Sequence, residues 1–379
     1  MDSERRKRFI RKNVVFIGAI FAISLMFLPA IFKDEKRAVH IERDHILSNK
    51  ETSDAKGPAA SVARIIKGAI NAKAYGAKGD GTTNDTAALQ KTLDAARDGS
   101  NKKVYIPSGT YRITSSLKLA SKTVLIGADK NDTIIKMDAE KKDGIYIGSS
   151  NDVYVGYLQV RDITNPGDSE SWGVHVTSGQ RALIEHVKVV NSDDAGIRLG
   201  HNFNGTNSKD CKVINCEVLN TKEGSGIEAI KSENAIIKNN VVTGSSQHGI
   251  RLCGAIKPTV TGNVSKKNSN GISVQGYTSG GTLRQEVTGF YVANNRCIDN
   301  RNSGINMFNS ANNGKLVENY IEFTGSNSAK GIYLYSPGGS SQYGNHDVEI
   351  ARNTIINASK AILVTDDNKA ITVVGNTIK

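Results

Sequence analysis

The sequence predicts an all-β fold: a single-stranded, right-handed parallel β-helix with an N-terminal capping helix, preceded by one transmembrane anchor helix. Three observations predict it. A four-residue phrase recurs nine times between Gly144 and Val364, apolar runs sharing an asparagine fall between the phrases, and a basic segment followed by an apolar one opens the chain.

The phrase is a small residue, an apolar residue, any residue, and then, in eight of nine cases, a larger apolar residue. It runs from Gly144-Ile145-Tyr146-Ile147 through Gly226-Ile227-Glu228-Ala229 to Ala361-Ile362-Leu363-Val364, and successive first residues are 29, 23, 30, 23, 22, 33, 27 and 30 apart. A period in the twenties to low thirties, built on alternating β-prone residues, marks a strand-based solenoid. A sandwich of short strands would alternate too, but it gives no reason for one phrase to return nine times. Between the phrases lie runs such as Ile236–Val242 and Tyr291–Ile298. Most carry an asparagine near the same place: Asn215, Asn240, Asn263, Asn295, Asn319, Asn353 and Asn376. Stacked coils bring such amides into register, where they bond to one another and to backbone.

At the N-terminus, Arg5, Arg6, Lys7, Arg8, Arg11 and Lys12 precede an uncharged run from Val14 to Phe32. That run approaches the ~20 residues of a spanning helix, and the cationic flank keeps its own side cytoplasmic. The predicted organisation is a cytoplasmic tail (1–13), a signal-anchor (14–32) and a stalk (33–70) with a short helix over Val62–Ile70. A cap helix and first coils (71–136) and the repeats (137–379) follow on the extracytoplasmic side of the cell membrane. Within the cap, Asn84 or Asp85 supplies the N-cap of a helix reaching about Arg97, with Leu89, Leu93 and Ala96 as its apolar stripe and Gly99 as its stop.

Bulk numbers narrow the function. The chain of 379 residues is 38% hydrophobic and only 6% aromatic, as suits a thin core of Ile, Val and Leu. Its net charge of +12 divides into +6 over residues 1–70 and +6 over the remaining 309 (35 Lys/Arg against 29 Asp/Glu), without the compact basic patch and interleaved aromatics of a nucleic-acid partner. Cys211, Cys216, Cys253 and Cys297 form no C-x-x-C pair, which argues for buried thiols rather than zinc. The last run, Ile371–Ile378, has no closing helix after it; an open strand edge there would favour self-association.

The segment Gly76-Ala77-Lys78-Gly79-Asp80-Gly81, Asn84-Asp85-Thr86 and Ile106-Pro107-Ser108-Gly109-Thr110-Tyr111 resembles the entry segment of the pectate-lyase-like superfamily, which includes rhamnogalacturonases and alginate epimerases. Coils such as Gln247-His248-Gly249-Ile250 look similar as well. The resemblance covers about residues 71–379. It implies a β-helix with a carbohydrate substrate and leaves the reaction open among hydrolases, lyases, epimerases and non-catalytic proteins.

Chemistry is expected at the third position of the phrase, which strand alternation turns away from the core and toward solvent. That column reads Tyr146, His175, Arg198, Glu228, Arg251, Ser273, Asn306, Tyr333 and Leu363. Arginines beside an acid and a histidine suit a uronate-bearing chain, because guanidinium matches carboxylate in two-point geometry. Asp193-Asp194, Lys222-Glu223 and Gln247-His248 fall at the corresponding turns before these strands. Asp193, Asp194 and Glu228 are the carboxylates for acid–base hydrolysis. His175 or His248 is the base for β-elimination or C5-epimerisation, with Arg198 and Arg251 holding the carboxylate and Tyr146, Asn306 and Tyr333 extending the track. The same acids could hold Ca²⁺. Polygalacturonase-like relatives have an aspartate pair and a later Gly-His-Gly phrase, echoed here by Asp193-Asp194 and His248-Gly249, but residue 247 is Gln; the epimerases' Tyr-Gly-Phe-Asp-Pro-His-Glu box is missing. Trp172, Phe203, Tyr277 and Tyr343, in the longer loops, are candidates for stacking on sugar rings. The expected function is a membrane-anchored, extracytoplasmic lyase or glycoside hydrolase on an acidic polysaccharide, with a C5-epimerase and a non-catalytic glycan-binding or export scaffold as alternatives.

Overall fold

A computed structural model describes residues 58–164, 170–201, 207–325, 328–335 and 343–379. The chain divides into two compact units, Met1–Ile65 and Ile66–Lys379. Within the first, the described element is a helix over Pro58–Ile65. It therefore begins upstream of the Val62–Ile70 helix read from sequence, because Ile70–Asn71 already pairs in parallel with Val104–Tyr105 as a strand of the second unit. The anchor expected over Val14–Phe32 lies outside the described residues; among those, no helix is long and apolar enough to cross a membrane.

The second unit is a parallel β-solenoid. Among the described residues the coils build three long sheets of 13, 12 and 10 strands, a central coil giving one strand to each. The first sheet runs from Ile70–Asn71 to Lys369–Val374 and the second from Asp80–Asn84 to Thr377–Ile378. The third runs from Leu117–Lys118 to Lys360–Val364 and carries all nine phrases. Pairing is parallel and in register along its whole length: Ile197 lies beside Ile227, Ile227 beside Ile250, and Ile250 beside Ile272.

Register turns the phrase into packing. Its second residues stack as one interior column (Ile145, Val174, Ile197, Ile227, Ile250, Ile272, Ile305, Ile332), and its fourth as another from Ile147 to Leu334, all 0% exposed. Each such Val, Leu or Ile contributes about 1.5–3 kcal/mol by leaving water. Glycine opens the phrase for a steric reason. A Cβ on Gly173 would stand 2.5 Å from the carbonyl oxygen of Gly196 and 2.6 Å from Cγ1 of Val189, so a side chain would force the coils apart.

The cap matches its expected extent. The helix spans Thr86–Asp98, buries Leu89, Leu93 and Ala96, and ends where the Gly99 N–H meets the Ala95 carbonyl. Asp85 holds the N-cap position without capping the helix. Its carboxylate instead accepts from the N–H groups of Lys78 (2.6 Å) and Gly79 (2.9 Å), while the Asn84 side chain accepts from the Thr86 N–H. The Gly-rich entry motif is thus tied to the helix start by one buried acid.

The asparagine ladder forms, with one correction. Asn240 donates from its backbone and side-chain nitrogens to Asn263 Oδ1 at 2.9 Å. Asn263, Asn295, Asn319 and Asn353 repeat this, each to the next, ending on Asn376. Asn215 is not a rung. It sits one residue early in the left-handed region (φ 54), and Cys216 takes the ladder position, its N–H bonded to Asn240 Oδ1. A shorter ladder unnoticed in the sequence, Ser245, Asn268 and Asn300, runs beside it. All four cysteines are free and buried. At the last coil Val373, Val374 and Ile378 are exposed.

Substituting Asn295 by Ala strands the buried backbone N–H of Asn263 and removes the side-chain donor to the Val260 carbonyl, while Asn319 Oδ1 keeps the backbone N–H of residue 295. Thermal or chemical unfolding of this variant should show a loss of about 1–3 kcal/mol per unpaired group; an unchanged midpoint would mean that the ladder is not structural.

Candidate functional site

The third sheet brings the predicted column together in the order read from the sequence. Tyr146 pairs with His175, His175 with Arg198, Arg198 with Glu228, Glu228 with Arg251, Arg251 with Ser273, Ser273 with Asn306, and Asn306 with Tyr333. The expectation that these side chains meet solvent is corrected. His175 is 2% exposed, and Arg198 and Glu228 are 3% each. They do point away from the core, but neighbouring residues cover them. Trp172, itself buried, lies with its ring 4.0 Å from that of His175 and 4.5 Å beneath the Arg198 guanidinium. His201 stacks on His175 from the next coil at 5.9 Å.

Covering turns the column into a buried ionic ladder. Asp143 Oδ2 meets His175 Nδ1 at 3.1 Å, leaving His175 Nε2 buried without a partner. Glu228 lies between two guanidiniums, 3.6 Å from Arg198 Nη1 and 3.4 Å from Arg251 Nη1. Burial acts to raise the Glu228 pKa, but Arg251 and Arg198 outweigh it and the carboxyl titrates below its ordinary range. Glu170 stands 3.9 Å from Arg198. With the Gln275 amide oriented by its surroundings, its oxygen accepts from Arg251 Nε and Nη2 at 3.1 and 2.7 Å. Both arginines therefore direct their charge at protein groups. Trp172, expected on a sugar-stacking loop, serves as the ladder's cover.

Asp193 and Asp194 diverge although adjacent. Asp193, 8% exposed, meets Lys222 Nζ at 3.1 Å. Asp194 is part-exposed and accepts from the Ser171 N–H at 2.6 Å. Burial, opposed by that hydrogen bond and reinforced by the negative charges of Glu170, Glu228 and Glu223, raises its pKa to about 6. Glu170 and Glu223 are exposed. Among the described residues, no group of three His, Cys, Asp or Glu side chains is placed to hold a metal ion.

Further along the same face, His248, Asn306 and Tyr333 line one cleft of about 350 Å³. Its other lining residues are Asn270, Asn302, Ser303, Phe308, Ser328, Lys330 and Tyr335. Several occupy the position just before each phrase, where His248 pairs with Asn270, Asn270 with Ser303 and Ser303 with Lys330. The sequence pointed to His248 at the turn before its strand but not to Asn270, Ser303 and Lys330 in the same column, nor to Asp143. The residue preceding each phrase glycine was the available signal. Tyr277 lies in a short hairpin, Tyr277–Ser279 with Thr282–Gln285, under the Lys231 ammonium; Phe203 lies outside the described residues.

Replacing Glu228 by Gln removes the counter-charge of one buried guanidinium, Arg198, and one part-buried one, Arg251. Denaturant unfolding should show a loss of about 3–5 kcal/mol; an unaffected variant would mean that the ladder is solvated and carries no structural load.

Comparison with known proteins places these features in a family. The family model described as "Rhamnogalacturonase A/epimerase, pectate lyase-like" matches residues 69–289, more than half of the chain, and that described as "Right handed beta helix region" matches residues 201–378. Among curated proteins, alginate lyase 7 of Azotobacter vinelandii is 37% identical over 111 residues, 27% of this chain. The pre-neck appendage protein of Bacillus phage phi29 is 43% identical over 67 residues, 18% of this chain. These matches span 13% and 7% of the two relatives' own lengths. Among solved structures, the A-module of the Azotobacter vinelandii mannuronan C-5 epimerase AlgE4 superposes with a TM-score of 0.55 at 20% identity, covering 82% of this chain and 97% of the module. At that identity the likeness is one of fold. With three in-register sheets and a family model spanning its cap and central coils, the chain belongs to the rhamnogalacturonase A/epimerase family of pectate-lyase-like right-handed β-helix proteins.

Proposed function

We propose that the protein is a glycoside hydrolase acting on an acidic, uronate-bearing polysaccharide. It works from the extracytoplasmic side of a membrane to which residues 14–32 tether it. The observation that carries the hydrolytic reading is the divergence of two carboxyls on adjacent coils. Asp194 is raised to about 6 by burial and by surrounding negative charge, while Glu228 is held ionised by two arginines. Environments that push carboxyls apart in this way fit one of them to give up a proton; here that one is Asp194, and Glu228 serves as a charge beside it. Asp194, part-exposed and protonated in mildly acidic solution, is in this reading the donor to a leaving glycosidic oxygen. Glu228 is too buried to meet a sugar and acts on Asp194 through its charge. The exposed carboxylates beside Asp194, Glu170 and Glu223, are the groups able to activate water. The net charge of +12 and the resemblance to alginate-acting proteins support an anionic polymer.

A second reading is β-elimination or C5-epimerisation. It is favoured by the similarity to an alginate lyase and to mannuronan C5-epimerases. Burial, reinforced by Arg251, lowers the His248 pKa to about 3, which keeps the ring neutral and makes it a weak base.

Incubation of the protein with a panel of uronate and neutral polysaccharides separates the two. Hydrolysis releases saturated reducing ends. The rate should fall about tenfold per pH unit above 6, as Asp194 loses its proton, and Asp194→Asn should abolish it. Unsaturated, ultraviolet-absorbing uronate ends, or a changed C5 configuration in uncut polymer, would replace hydrolysis with the second reading.

A further inference from the structure

We infer that the cleft between the coils of Gly249 and Gly331 is a subsite for one acidic pyranose, with a sugar hydroxyl donating to Asn306 and the sugar's anionic group facing Lys330. The inference rests on the polysaccharide reading and adds the kind of sugar recognised and the residues that recognise it.

One wall of the cleft is an aromatic shelf. The rings of Tyr333 and Tyr335 stack at 4.5 Å and 16°, and those of Tyr335 and Phe308 at 5.1 Å and 25°. At these spacings the rings lie face against face, so the stack offers the C–H face of a pyranose its edges and the uncovered outer face of an end ring. Register builds it: Phe308 and Tyr335 share the position after the fourth phrase residue on adjacent coils, and Tyr333 lies two residues before Tyr335.

The polar groups face the shelf with defined signs. Asn306 is 4% exposed, and its Oδ1 has no partner, so the cleft holds a buried acceptor in want of a donor. Ser303 Oγ donates to Asn270 Oδ1 at 2.8 Å, which turns the Asn270 amide nitrogen toward His248 Nδ1 at 3.2 Å. That relay makes Nδ1 an acceptor and leaves the proton of the neutral ring on Nε2, a donor for an oxygen. Acceptor and donor together read the hydroxyls of a polyol. Charge then selects among polyols. Among the described residues no Asp or Glu lines the cleft, and Lys330, its Nζ 5.7 Å over the Tyr333 ring, is the one permanent cation in that lining. An anionic group entering here meets an ammonium with no competing carboxylate in the lining.

Calorimetric titration of the full chain carrying Asp194→Asn tests this, because binding is then read apart from turnover. Oligouronates should bind, and neutral gluco-oligosaccharides of equal length more weakly. Lys330→Gln should cut oligouronate affinity about tenfold or more, leaving neutral-sugar affinity and the unfolding temperature unchanged. Asn306→Ala should weaken both sugar classes. A sulfated neutral oligosaccharide that binds as tightly as the oligouronate would assign the subsite to anionic sugars in general. No oligouronate binding, or an undiminished affinity in Lys330→Gln, overturns the inference. Failure of the hydrolytic reading alone would appear as intact binding without turnover by the wild-type chain.

Discussion

Hydrogen bonding between successive coils is the constraint from which the rest of this protein follows. A parallel strand cannot satisfy its backbone within its own coil, so each coil must present its N–H and C=O groups to the next at a spacing of about 4.8 Å. Once that spacing is fixed, equivalent positions of the phrase are bound to stack. Ile stacks on Ile inside, Asn on Asn at the bend, and the varied third residue on its counterpart outside. The same constraint that builds the core therefore collects chemically active side chains from residues far apart in sequence along one face.

Stacking unlike residues at that spacing has an electrostatic consequence. An acid, a base and a histidine placed on adjacent rungs must pair, and the segments crossing above them decide whether they pair in water or out of it. Here Trp172 covers His175 and Arg198, His201 covers His175, and Glu228 is 3% exposed between two arginines. Burying such charges costs several kcal/mol per ion unless each has a partner, and the alternation Arg198, Glu228, Arg251, Gln275 supplies one at every rung. The carboxyl left at the margin of this network, Asp194, is pushed up to about 6 by its burial first and then by the negative charges of Glu170, Glu228 and Glu223. Burial and structural charge together thus set the acidity of this part-exposed group.

Much of this was legible in the sequence, and the failures have a common cause. The recurrence of Gly-Ile-x-apolar located nine strands of one sheet and their register, because period and alternation are properties of the backbone. Leu89, Leu93 and Ala96 located the cap helix for the same reason. What depends on the third dimension was harder to read. That Arg198 would be 3% exposed follows from where Trp172 folds, and no local pattern encodes it. Asn215 was assigned to the ladder because it fell near the right place; a shift of one residue put it in a left-handed turn and left Cys216 on the rung. Of the cleft, His248, Asn306 and Tyr333 were found, whereas Asn270, Ser303 and Lys330 were not. Their column precedes the phrase, where residue types vary without period from coil to coil. Asp85 shows the same limit, since its type suggested a helix cap and its carboxylate faces the entry loop instead.

The claim at the centre of this account is that one outer face, that of the ten-stranded sheet, carries both the reacting carboxyl and the sugar-reading cleft. A crystal structure of the Asp194→Asn protein with a bound acidic oligosaccharide measures this most directly. The account predicts one sugar ring against Tyr333 and Tyr335 and the chain running across the coils toward residue 194. A saccharide seated on the outer face of either other sheet, or one crossing this face without approaching residue 194, would contradict it.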